Sequence, residues 1–252
     1  MSQTDTRPIA IIAIAMVLFV GGGAWWMSRR AATPSNATPV AVNGTDAPID
    51  KPGMPPVDLP PRDQMDAFLR PLLAALSARP ELGRWLATDD LVGQLAMAID
   101  QASNGGSPAR DFKVIAPTSP FATARRGTRR TIDPASYQRY DGLVQTVTSI
   151  DASNVARIFK QIRPRLNDAY RGLGHPEGNV DPAIRKAIDI LLDTPVVKDP
   201  VEVVESGSAG WEFADPELEE LTPSQKQLLR MGPEHVDAVL VWLRALKNAL
   251  DP

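Results

Sequence analysis

From residue 8 to residue 27 the chain runs for twenty residues without one ionisable side chain. A helix that is apolar on every face has to be buried. At 1.5 Å rise per residue this one spans roughly 30 Å, the thickness of a hydrocarbon core. The stretch therefore predicts a single transmembrane helix, within an N-terminal tail and anchor covering residues 1–30. Trp25 and Trp26 at its far end suit the headgroup region, and Arg29 with Arg30 come next in the adjacent water. A cleaved signal peptide is the competing assignment, because residues 9–20 have the length of an apolar core and Gly22, Gly23 and Ala24 are small. The weak positive N-region and the two tryptophans after the cut favour the anchor.

Orientation has two readings. Asp5 offsets Arg7 before the helix while Arg29 and Arg30 lie just after it, so the positive-inside rule puts the rest of the chain in the cytoplasm. A very short head, one anchor and a long spacer instead form an arrangement common in bacterial proteins that hold a domain away from the inner membrane. The second reading is the one adopted: a single-pass inner-membrane protein with a periplasmic domain.

Residues 31–61 contain eight prolines, few large apolar side chains and little charge. Such a segment cannot bury enough surface to offset its ordering entropy, and is expected to be a disordered tether reaching on the order of 90 Å when extended. Residues 62–252 remain, about 190 in all, enough for one domain with its own core. The net charge of −3 gives no global reason to bind nucleic acid. Absence of cysteine removes disulfides, thiolate metal sites and cysteine nucleophiles.

Helical periodicity begins after Pro61. Met65, Phe68, Leu69, Leu72, Leu73 and Leu76 make one stripe, with Pro71 expected to kink or restart the helix. Residues 81–87 read as a short helix carrying Trp85. Leu91, Val92, Leu95, Ile99 and Ala102 make the next stripe, with Asp89 as the expected N-cap and Asn104, Gly105 and Gly106 as the turn that ends it. Phe112, Val114 and Ile115 suggest a short strand, and residues 121–132 a hairpin turning at Gly127.

Asp133-Pro134 and Asp181-Pro182 each place a capping carboxylate before a proline at the first helical position. Asp151 opens a helix with Val155, Ile158, Phe159, Ile162 and Leu166 on one face, bent or split at Pro164. Residues 201–204 and 211–213 flank a Gly/Ser turn and read as a second hairpin. Asp215-Pro216 and Thr222-Pro223 start two short helices. Gly232 ends one helix before another that carries Val236, Val239, Leu240, Leu243, Leu246 and Leu250. The expected class is mainly α: one multi-helix domain with one or two small β-hairpins.

Three separated segments look familiar: FLRPLLAALSARPELGRWLATDDLV (68–92), TIDPASYQRYD (131–141) and LTPSQKQLLRMGPEHV (221–236). In that order they resemble a bacterial family known as domain of unknown function 3014. The resemblance implies an N-terminal anchor, a proline-rich spacer and one domain, mainly in Gram-negative bacteria. It implies no agreed activity. It also implies tyrosine as a common residue at position 175 and asparagine at 235, which argues against catalysis by His175 or His235.

Those are the only two histidines, too few for a triad-like or His-rich metal site without carboxylate help. No HExxH, GxSxG or GxxxxGK[ST] occurs, and nothing implies a cofactor. Glu217, Glu219 and Glu220 read as first-turn helix charges, and Asp89 with Asp90 as a cap and its neighbour. Tyr137, Tyr140 and Arg230 read as core or helix-junction residues. The distinctive charge cluster is Arg125, Arg126, Arg129 and Arg130 around Gly127. It is either a solvated hairpin tip or an anion contact for lipid headgroups or cell-wall carboxylates. The function expected is that of a non-enzymatic interaction or scaffold module with a protein or cell-envelope partner. The alternative is a cell-wall-directed hydrolase using a carboxylate as general acid.

Overall fold

Ten α-helices and two antiparallel hairpins succeed one another in the computed structural model, which describes residues 59–198, 200–207 and 210–251. The expected anchor and most of the expected tether lie outside the described residues. Among the described residues no helix is long and apolar enough to cross a membrane.

The helices are α1 (Met65–Ala74), α2 (Pro80–Leu86), α3 (Leu91–Ser103), α4 (Pro134–Gln138), α5 (Asp141–Thr148), α6 (Ala152–Gly172), α7 (Asp181–Leu192), α8 (Pro216–Glu219), α9 (Pro223–Leu229) and α10 (Pro233–Leu250). The predicted stripes become the main core. Leu91, Val92, Leu95, Ile99 and Ala102 of α3 are buried with Val155, Ile158, Phe159, Ile162 and Leu166 of α6 and with the whole expected stripe of α10. Helix α3 packs against both α6 and α7, while α10 lies across α6, α5 and α7. The Trp242 indole N–H donates to the Ile150 carbonyl at 2.7 Å, pinning α10 to the turn between α5 and α6. A buried indole needs such a partner because its N–H has lost water.

Both interior prolines sit inside continuous helices, so Pro71 does not restart α1 and Pro164 does not split α6. Pro164 lies on the exposed face of α6 beside exposed Lys160, whose freed carbonyl can be solvated instead of orphaned. Pro71 is likewise exposed in α1.

Residues 108–115 do not form the expected strand. They make two 3₁₀ turns, Pro108–Arg110 and Lys113–Ile115. Phe112 and Ile115 are the buried pair and Val114 is 39% exposed. Burial three residues apart suits a turn, whereas a strand would bury 112 with 114.

The cap of α3 is Asp90, not Asp89. It adopts φ 54° and accepts from Gly93 N–H at 3.3 Å. A β-carbon on Gly93 would lie 2.1 Å from the Asp90 carboxylate, so only glycine lets that carboxylate fold back. A second carboxylate arrives from α1: Asp66 accepts the N–H groups of Asp90 at 2.7 Å and Leu91 at 2.9 Å. Arg70, one turn on, donates to the carbonyls of Leu86 and Thr88 at 2.9 Å each, tying α1 to the end of α2. Asp133, Asp151, Asp215 and Thr222 do cap as expected, Thr222 through a capping box with Gln225. Asp181 does not. It is the first residue of α7, its N–H donates to Asn179, and its carboxylate meets Arg163 at 3.2 Å.

Strands β1 (Thr123–Arg126) and β2 (Arg129–Ile132) form the first hairpin, turning at Gly127 with φ 62°. β3 (Val203–Ser206) and β4 (Gly210–Phe213) form the second. The two are joined edgewise: Thr131 bridges Glu202, and Ile132 N–H donates to the Val201 carbonyl at 2.9 Å. A small second core of Ile132, Val201, Val203, Phe213 and Leu229 seats this layer on the helices.

Candidate functional site

The four arginines of the first hairpin lie in two directly opposed pairs, Arg125 with Arg130 and Arg126 with Arg129. Alternation along a strand puts Arg125 and Arg130 on the face that carries Ile132, and Arg126 and Arg129 on the other. Like charges directly opposed across a ladder are unfavourable. The structure relieves this on one strand only. Arg129 meets Glu202 at 2.7 Å and Arg130 meets Glu205 at 3.7 Å, both glutamates being supplied by the segment that carries β3. Arg130 also lies 5.2 Å above the Trp211 ring and donates to the Thr123 hydroxyl at 3.3 Å. Arg125 and Arg126, both exposed on β1, form no ion pair among the described residues.

Sequence reasoning placed the four arginines but missed Glu202 and Glu205. The available signal was the segment VEVVES, whose two glutamates three residues apart fall on opposite faces of a strand.

Aromatic rings and further arginines surround the hairpins. Phe121 and Trp211 have ring centroids 6.5 Å apart. Arg139 lies over both Phe121 and Tyr140, and Arg230 over Phe213. Such contacts are attractive because the cation meets the negative face of the ring. Tyr140 is 1% exposed and accepts from Arg139 at 2.8 Å, so the expected core role of that tyrosine holds. Burial pushes its hydroxyl above the ordinary tyrosine range, against the opposing pull of Arg139 and Arg230. Tyr137 and Arg230 are junction residues as expected: Tyr137 presses on Gly232, and Arg230 donates to the Trp211 carbonyl at 3.2 Å.

Of the three glutamates after Pro216, Glu219 has the structural task. Its carboxylate accepts the Phe213 N–H at 2.9 Å and the Lys226 ammonium at 2.5 Å, so it clasps β4 to α9. Burial pushes its carboxyl up, but the Lys226 and Phe213 hydrogen bonds and the charges of Lys226 and Arg230 outweigh that and hold it below the ordinary glutamate range.

The histidines are far from this layer in role. His175 stacks on Tyr170 with centroids 3.9 Å apart, and its Nε2 lies 2.9 Å from Asp100. It lines an open hollow of about 620 Å³ with Glu177 and Asn179. Burial and the Asp100 charge push the Tyr170 hydroxyl up. His235 is held between the Met231 carbonyl at 2.8 Å and Asp141 at 3.0 Å. A second hollow of about 370 Å³ is lined by Ser77, Arg79 and Ser149. Among the described residues no group of three or more histidine or carboxylate side chains is placed to hold a metal ion.

Comparison with known proteins adds one match. No match was found among curated proteins or among solved structures. A family model described as "Protein of unknown function (DUF3014)" covers residues 91–247, from the first turn of α3 almost to the end of α10 and through both hairpins. That is more than half of the chain, and the chain belongs to the DUF3014 family.

Proposed function

We propose that this chain is a non-catalytic interaction module, tethered to the bacterial inner membrane through residues 8–27 and displayed in the periplasm, where its hairpin layer meets an anionic partner. The observation that carries this reading is the uneven neutralisation of the arginines. The inner strand's pair is balanced by Glu202 and Glu205, while Arg125 and Arg126 stand exposed on opposite faces of β1 without a counter-ion among the described residues. Unneutralised arginine charge on a hairpin is a recognition feature for carboxylates or phosphates. The alternative, a hydrolase with a carboxylate general acid, needs a carboxyl pushed up by its surroundings. Glu219, clasped by Lys226, is moved the other way.

Two experiments test the proposal. Crosslinking in cells, with mass spectrometry of the products, is expected to recover a reproducible envelope partner, and repeated failure at native expression defeats the reading. A periplasm-active phosphatase fused after Pro252 is expected to be active. Fluorescence from a cytoplasm-active reporter at the same point would mean that Arg29 and Arg30 set the orientation and that the module works on the inner side.

A further inference from the structure

The two outer edges of the hairpin layer are treated differently. Ladder bonds in β1 fall on alternate residues: Asp133 N–H donates to the Ala122 carbonyl, and the register continues through Ala124 with Thr131 to Arg126 with Arg129 at the two-residue turn. Thr123 and Arg125 therefore turn their N–H and C=O groups away from β2. No described residue hydrogen-bonds those groups, and β1 pairs with β2 alone. Of the four equivalent outward groups of β4, two are engaged by side chains, the Phe213 N–H by Glu219 and the Trp211 carbonyl by Arg230. One edge is partly covered by side chains and the other is open.

The open edge is also where the unneutralised charge sits. Arg125 and Arg126 point to opposite faces of β1, so they flank any strand laid alongside it. The opposite side of the hairpin shows what such a strand looks like: the segment carrying β3 lies along β2 and sends Glu202 to Arg129 on one face and Glu205 to Arg130 on the other. We infer that the open edge of β1 binds an extended acidic peptide segment of a partner protein by strand addition. The main-chain groups of Thr123 and Arg125 supply the ladder, and carboxylates three residues apart neutralise Arg125 and Arg126. The inference rests on the interaction-module reading and names the class of its partner.

The test uses the full-length chain in detergent micelles and a fluorescein-labelled peptide, Val-Glu-Val-Val-Glu-Ser, which copies residues 201–206. The control peptide has lysine in place of both glutamates. Anisotropy is expected to show saturable binding of the acidic peptide only, weakening as salt rises. Binding is expected to fall about two- to thirtyfold in the double variant Arg125→Gln/Arg126→Gln, which removes two exposed charge contacts. It is expected to fall similarly in Thr123→Pro, which keeps the charges but deletes an outward N–H. Amide exchange at Thr123 and Arg125, expected to slow when the acidic peptide is added to the parent chain, decides the matter should the proline variant not fold.

Unchanged binding by a folded Thr123→Pro chain together with unchanged exchange at both amides would reduce the contact to charge alone and overturn strand addition. So would absence of peptide binding while vesicles containing phosphatidylglycerol are bound through Arg125 and Arg126, which assigns the arginines to lipid. Recovery of the same crosslinked partner by parent and double variant overturns the edge as the site yet leaves the module reading standing. Recovery of no partner by either overturns that reading itself.

Discussion

Gly232 sits where α9 hands over to α10, and replacing it with alanine should be among the most damaging single-methyl changes available in this domain. Its φ of 88° and ψ of 161° lie in a region open essentially to glycine alone, where any side chain costs about 1–3 kcal/mol. The added β-carbon would also stand 2.5 Å from Cγ of Tyr137, so the ring must move out of its seat. Forced repacking of that kind costs roughly 1–3 kcal/mol. Together the two effects predict a loss of about 2–6 kcal/mol for Gly232→Ala. The matched control is Gly83→Ala, inside α2 with nothing within 4 Å of the new methyl group. That change should stabilise by about 0.5–1 kcal/mol, the ordinary helical preference for alanine. Urea unfolding monitored by tryptophan fluorescence measures both, since Trp85, Trp211 and Trp242 lie in the folded part. A Gly232→Ala protein within about 0.5 kcal/mol of the parent would refute the argument, because it would mean that neither the backbone region nor the Tyr137 contact constrains this junction.

Asp66→Ala removes the acceptor of two N–H groups at the start of α3 and should cost about 1–3 kcal/mol in the same assay, with Asp66→Asn recovering part of it. Trp242→Phe leaves the Ile150 carbonyl unpaired and should lose about 1–3 kcal/mol, whereas a loss near zero would show that water replaces the indole. Glu219 has a folded pKa below its unfolded one, so its contribution is present above the usual glutamate range and is lost as pH falls through the lowered value. Acid titration of stability should therefore be shallower in Glu219→Gln than in the parent, and identical acid profiles would remove Glu219 as the clasp of β4.

Much of the helical architecture was legible because it is written at short range. A stripe such as Val236, Val239, Leu240, Leu243 recurs at the helical period, and each member finds the core without reference to distant sequence. Asp-Pro and Thr-Pro starts were equally local where the carboxylate or hydroxyl met its own helix, as at Asp133 and Thr222, and so was the Asp151 start. The prolines did not break their helices because the rule for them concerns an orphaned carbonyl, and whether that carbonyl reaches water depends on which helix face packs. Phe112 and Ile115 misled because a three-residue spacing of apolar side chains in a short segment is shared by turns and by imperfect strands.

What the sequence by itself determined was the set of elements: apolar residues at a helical period demand burial of one face, and Asp, Thr, Pro and Gly mark where each run must start or stop. Only the tertiary structure decided how charges were assigned. Four arginines look alike along the chain, yet Arg129 and Arg130 are neutralised by glutamates more than seventy residues away while Arg125 and Arg126 are left on an open edge. Asp66 caps a helix that begins twenty-five residues later. Coulomb attraction and hydrogen bonding act through space over a few ångströms, so their partners are chosen by packing of the elements and leave no period in the sequence for a reader to find.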